Sequence, residues 1–198
     1  MVASVLDRYA DCLGEERFLE LVRRTVLEGS GAARRDLVIA IAPNAVDASA
    51  AELRWIAGWA PHAGQITLYE NLFDQAHVEA HYRWRFLSDL QQAHPAPVTV
   101  PMFAVAHELG HLLLDGLRQE HVARGLDPFV LEELYATNLL HDYWAAPFDV
   151  PNESLADEVA LWIFDIRRPA IVRRHLEGTL IHALAGAPES ALTPAGHR

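Results

Sequence analysis

Phe103-Ala104-Val105-Ala106-His107-Glu108-Leu109-Gly110-His111-Leu112-Leu113-Leu114-Asp115-Gly116-Leu117 sets two histidines and a glutamate inside a strongly apolar run. The run predicts a helix. It starts near Pro101, since proline suits a first helical turn, and ends near Gly125. Residues i and i+4 lie one above the other on a helix face, so His107 and His111 project together. Two imidazoles at that spacing can bind one tetrahedral zinc ion. Glu108 falls about 100° round the helix from His107. Its carboxylate then stands beside the metal without binding it and can take a proton from zinc-bound water. A pair of histidines in so apolar a helix is costly unless coordinated or neutralised. Gly110 costs about 1 kcal/mol of helix propensity relative to alanine, and its small size could admit another backbone beneath the metal.

A catalytic zinc needs a third protein ligand and an open fourth position. The pattern HExxHxxGxxH is absent, because Leu114 and Leu117 occupy the places concerned. The third ligand must therefore come from later in the chain. Candidates are His121, Glu132, Glu133, His141, Asp142 and Glu153. Glu153 stands out because Asp157 follows one helical turn on. A carboxylate there can hydrogen-bond a ligating histidine and fix its tautomer. The competing reading makes both acids a favourable charge at a helix N-terminus. Glu133 is the alternative ligand.

Working outward, residues 4–28 carry apolar groups at helical spacing (Val5, Leu6, Tyr9, Leu13, Phe18, Leu21, Val22, Leu27) and predict one N-terminal helix, closed by Gly29-Ser30-Gly31. Residues 37–42, LVIAIA, predict a buried strand. Residues 52–70 predict a hairpin through the turn PHAG, with a short helix at 48–58 as its rival. Helices follow over 72–93, over 128–145, from an Asn152 cap through about Ile166, and over 170–185. The tail APESALTPAGHR is polar. A small sheet followed by packed helices is an α+β pattern, and one domain over 1–198 suits the length.

The formal charge is −11, from 16 basic and 27 acidic residues, and every basic residue is arginine. That balance argues against a nucleic-acid partner and against docking on an anionic membrane. No apolar run is long enough to span a bilayer, and the N-terminus lacks the pattern of a signal peptide. Cys12 is the single cysteine, so an intramolecular disulfide is ruled out. A cytoplasmic location is the expectation, and Cys12 is expected to pack as a small apolar residue.

Weaker features complete the reading. His77 and His81 stand at i, i+4 with Glu79 between, and more often such a pair is a polar face than a second metal site. Trp55, Trp59, Trp84, Trp144 and Trp162 are expected in the core or along a groove. Glu108 and His111 also form an ExxH pair, as helical di-iron oxygenases require, but the chain holds no second ExxH. A zincin-fold binding or regulatory protein without turnover is the other rival, since fold and ligands do not guarantee catalysis.

VAHELGHLLLDG, followed by ESLADEVALWI, resembles the gluzincin metallopeptidases, and most of all the ImmA/IrrE type, in which HELGH precedes a helix with an ExxA(N/D)xFA pattern. Glu153, Ala156, Asp157, Val159 and Ala160 stand in the corresponding order, with Val159 where an aromatic residue is usual. The resemblance covers roughly residues 64–166. It implies a zincin-like fold, a small and mostly antiparallel sheet packed against an active-site helix. It implies zinc held by His107, His111 and Glu153, and a zinc-dependent hydrolysis of peptide bonds assisted by Glu108. A peptide or protein substrate would lie along an edge strand at residues 65–70. Tyr135, His141 and Tyr143 are then candidate donors to the transition-state oxyanion. Substrate, activation and oligomeric state are not legible.

Overall fold

The computed structural model describes residues 1–25, 37–43, 57–74, 76–77, 98–125 and 151–164. The side chains of residues 62 and 151–154 lie outside that description. The predicted helices over 128–145 and 170–185, and nearly all of that over 72–93, also fall outside it.

Among the described residues, four helices and three strands make an α+β arrangement. Helix α1 spans Val2–Leu13 and α2 spans Glu15–Arg23. The strands are β1, Val38–Ala42, β2, Ala57–Ala60, and β3, Gln65–Tyr69. Helix α3 spans Val100–Ala123 and α4 spans Pro151–Ile163.

The single N-terminal helix expected over 4–28 is two helices. Gly14 has φ +84° and ψ 135°, a conformation that glycine adopts without a Cβ clash, and it breaks the run between Leu13 and Glu15. Each half still buries its apolar side: Val5, Tyr9 and Leu13 from α1, Phe18 and Leu21 from α2. The Tyr9 and Phe18 rings stack with centroids 5.9 Å apart, which closes the corner. Cys12 is exposed rather than packed. It falls outside the Val5–Tyr9–Leu13 stripe, where i, i+4, i+8 spacing directs side chains inward.

The expected hairpin forms between β2 and β3. One turn of 3-10 helix at Pro61–Ala63 links them, and Gly64 follows in the left-handed region. The pairing is antiparallel, with Trp59 opposite Ile66 and Ala57 opposite Leu68. β1 pairs with the other side of β3 in parallel, Val38 opposite Gln65 through Ala42 opposite Tyr69. The order is β1-β3-β2, so the sheet is mixed rather than mostly antiparallel. β3 is also its middle strand, not an edge. Ladder partners occupy both sides of residues 65–68, so an extended peptide cannot add there.

Helix α3 is the axis of the core. Thr99 caps it, its hydroxyl accepting from Met102 N–H, and Pro101 sits in the first turn. Residues buried from Phe103 to Leu117 lie on almost every side of this helix. That pattern marks a helix surrounded by other elements rather than one facing water along a stripe. Ile66 and Leu68 of β3 join its core, as do Leu155, Ala156, Val159 and Ala160 of α4. Helix α4 opens at Pro151, so Asn152 lies within its first turn instead of capping it.

Candidate metal centre

Taking His107 as the origin of a helical wheel at about 100° per residue, the surroundings of α3 resolve into sectors. Gly110, about 60° to one side, faces α4: a Cβ built on it would lie 3.0 Å from the carbonyl oxygen of Ala156 and 3.2 Å from its Cα. Gly116, on the opposite side of the helix, faces α2: a Cβ there would lie 2.5 Å from Leu21 O and 2.8 Å from Thr25 Oγ1. Asp115, about 80° to the other side, meets the sheet, its carboxylate Oδ2 accepting from the Trp59 indole N–H at 2.9 Å. His107 and His111 occupy the remaining sector, between α4 and β2.

Two hydroxyls fix the rear of α3. The Tyr9 hydroxyl donates to Ala106 O at 2.6 Å, and the Thr25 hydroxyl donates within a buried contact to Leu112 O at 2.8 Å. The carbonyls concerned bracket the histidine turn. Burial holds the Tyr9 phenol well above its ordinary pKa of 10.0, with a smaller contribution from the nearby Cys12, so it stays a donor.

In the front sector, His107 Nδ1 lies 2.7 Å from Asp157 Oδ1. A carboxylate only accepts, so Nδ1 carries the proton, and in the neutral ring Nε2 presents a lone pair. That Nε2 is 3.0 Å from Nε2 of His111, and the two rings are nearly perpendicular, at 86°. Two nitrogens bound at 2.0–2.1 Å to a tetrahedral ion would stand about 3.3 Å apart. The donor pair is therefore close to the separation that zinc requires, and the carboxylate behind His107 aligns it. Glu108, His111 and Asp157 are all buried, with 7, 6 and 6% of their surfaces exposed.

The chemistry of these donors fits a divalent ion, and the side chain of Glu153 lies outside the described ones. Among the described residues, no group of three or more His, Cys, Asp or Glu side chains is gathered as a metal site. Glu153 stands four residues before Asp157 on α4, at the same helical register, one turn nearer the N-terminus. His121 is ten residues beyond His111, about 15 Å along the helix axis, and is not part of the centre. Glu132, Glu133, Tyr135, His141, Asp142 and Tyr143 lie outside the described residues, as do Glu79 and His81.

Two features of the surroundings went unread in the sequence. Glu158, next to Asp157, is a buried acid only 1% exposed. Asp115 ties α3 to β2 through Trp59 and also accepts from Arg118 at 2.8 Å. The clue to the second was available: a half-buried indole N–H needs an acceptor, and Asp115 lies seven residues after Glu108, on nearly the same line of the helix.

Among the described residues, no helix is long and apolar enough to cross a membrane. No protein-family model, no curated protein and no solved structure matches this chain.

Proposed function

We propose that the chain is a zinc-dependent peptidase whose metal is held by His107, His111 and Glu153. The observation that carries this reading is the line Asp157–His107–His111, a carboxylate orienting one of two imidazoles whose Nε2 atoms meet at 3.0 Å. Zinc bound there would supply a Lewis acid that polarises the scissile carbonyl and acidifies the attacking water at neutral pH.

The chain's own groups do the rest. Asp157 fixes the tautomer of His107. Glu108, on the same helix and buried, takes the proton of the attacking water and passes it to the leaving amine. The surrounding apolar residues of α3 and α4 exclude other water and strengthen these charge interactions. The substrate is an extended peptide laid over the histidine sector of α3, which lies between α4 and β2. β2 replaces residues 65–70 as the strand beside it, since β3 is covered on both sides.

The experiment compares zinc content and cleavage of fluorescein-labelled casein for the native protein and Glu108→Gln. The variant should keep its zinc and lose activity by about 100- to 10,000-fold. Undiminished cleavage would overturn the mechanism. A native protein that holds zinc and leaves casein intact would instead favour a binding role on the same fold. Glu153→Ala should abolish stoichiometric zinc, and unchanged zinc would transfer the third position to Glu133.

A further inference from the structure

β2 is only four residues long, and among the described residues its ladder partner is β3 alone. So short a strand on one side of a sheet is prone to fray. Its register puts Trp59 opposite Ile66, on the sheet face that looks into the core. From there the indole N–H reaches Asp115 at 2.9 Å, across 56 residues of sequence. The other carboxylate oxygen, Oδ1, accepts from Arg118 at 2.8 Å. Arg118 thus holds the other end of the carboxylate that the indole uses. A hydrogen bond to an ionised acceptor is shorter and stronger than one between neutral groups.

Asp115 lies one helical turn beyond His111. The tie therefore sets the distance between β2 and the part of α3 that carries the histidines.

We infer that the Trp59–Asp115 hydrogen bond is a latch that fixes β2 against α3, and that Trp59 is a positioning residue for a peptide bound along β2. The latch follows from the contacts themselves; the positioning role rests on the peptidase reading. With the latch released, β2 moves relative to the histidines and a peptide lying on it is held less well. The chemical step, which depends on Glu108 and the metal ligands, is then little changed once substrate is bound.

The test uses the full-length, zinc-loaded protein and three variants. Trp59→Phe keeps a ring but removes the donor, Asp115→Ala removes the acceptor, and Asp115→Asn keeps an acceptor oxygen. Hydrogen exchange followed by mass spectrometry reads the amides of residues 57–60. Exchange there should rise by about tenfold or more in Trp59→Phe and Asp115→Ala, and by less in Asp115→Asn, which keeps one neutral acceptor for the indole but loses the one that Arg118 uses. The double variant Trp59→Phe/Asp115→Ala should exchange no faster than either single change, because both remove one bond. Native-like exchange in Trp59→Phe would overturn the latch.

Casein cleavage reads the positioning role. Trp59→Phe should raise KM by about 3- to 10-fold and leave kcat within about twofold, with a smaller rise in KM for Asp115→Asn, which keeps an acceptor for the indole. An unchanged KM, or a loss confined to kcat, would overturn that role. If the native protein cuts nothing, the peptidase reading fails and the positioning role with it, while the exchange data still decide the latch.

Discussion

Ala156 presses its backbone against Gly110, so that a Cβ on the glycine would meet the Ala156 carbonyl oxygen at 3.0 Å. This contact brings α4 close enough for Asp157 to reach His107, and a side chain at residue 110 has to be accommodated at the expense of that approach. Gly110→Ala gains about 1 kcal/mol of helix propensity and loses about 1–3 kcal/mol to overpacking. The net expectation is a modest loss of stability in urea denaturation, with weaker zinc binding. Gly116→Ala meets Leu21 O at 2.5 Å, and backbone there cannot swing aside, so its loss should be the larger of the two. Equal midpoints for both variants would contradict the packing described.

Asp157→Asn tests the carboxylate behind His107. Loss of its charge should lower zinc affinity by about 10- to 100-fold, measured by chelator competition, without emptying the site at saturating metal. An unchanged dissociation constant would mean that the 2.7 Å contact does not tune the ligand.

Tyr9 gives an alkaline signature. Its folded pKa is raised, mainly by burial. As pH climbs past 10, the unfolded chain ionises this phenol while the folded chain keeps it protonated, so stability falls. The slope contributed is at most about 1.4 kcal/mol per pH unit. Urea midpoints between pH 9 and 11 should fall less steeply for Tyr9→Phe than for the native protein. Tyr9→Phe also forfeits the bond to Ala106 O, about 1 kcal/mol at neutral pH.

Glu20 acts at the opposite end of the scale. Hydrogen bonds from Arg24, then Arg17, hold its carboxyl below the ordinary 4.5. Its contribution is present above that value and disappears as acid protonates the folded form. Glu20 is nearly half exposed, so solvent screens the effect and Glu20→Gln should flatten acid unfolding only slightly. Arg17 also bridges from α2 to Glu120 of α3 at 2.7 Å through mostly buried groups, so Arg17→Ala should lower the urea midpoint at neutral pH by more than Glu20→Gln does.

The elements closest to the chemistry were the most legible. The histidine helix announces itself through a long apolar run, with Pro101 near its start and Gly125 just past its end, and it spans Val100–Ala123. The closeness of another backbone at Gly110 and the link between Asp157 and a histidine also follow from size and helical register. What stayed hidden depends on contacts between distant segments. Nothing local distinguishes the break at Gly14 from a glycine tolerated within a helix. Alternation in QITLY shows a strand but not its neighbours, and a middle strand and an edge strand can share the same pattern. The bond from Trp59 to Asp115 joins two residues that sequence periodicity treats separately.

The strand order β1-β3-β2 also dictates when the sheet can exist. A chain emerging from the ribosome releases β1 first and then β2, which are never neighbours; the strand that belongs between them arrives last. The β2–β3 hairpin, closed by a short turn, is the fast local event, and it must dock onto β1 as a unit. Until residue 69 has been made, Val38 and Ile41 have no ladder to join, so a nascent chain stalled before that point carries a sticky, partnerless strand. Newly made protein is thus prone to aggregate before the histidine helix has left the ribosome to pack against the sheet.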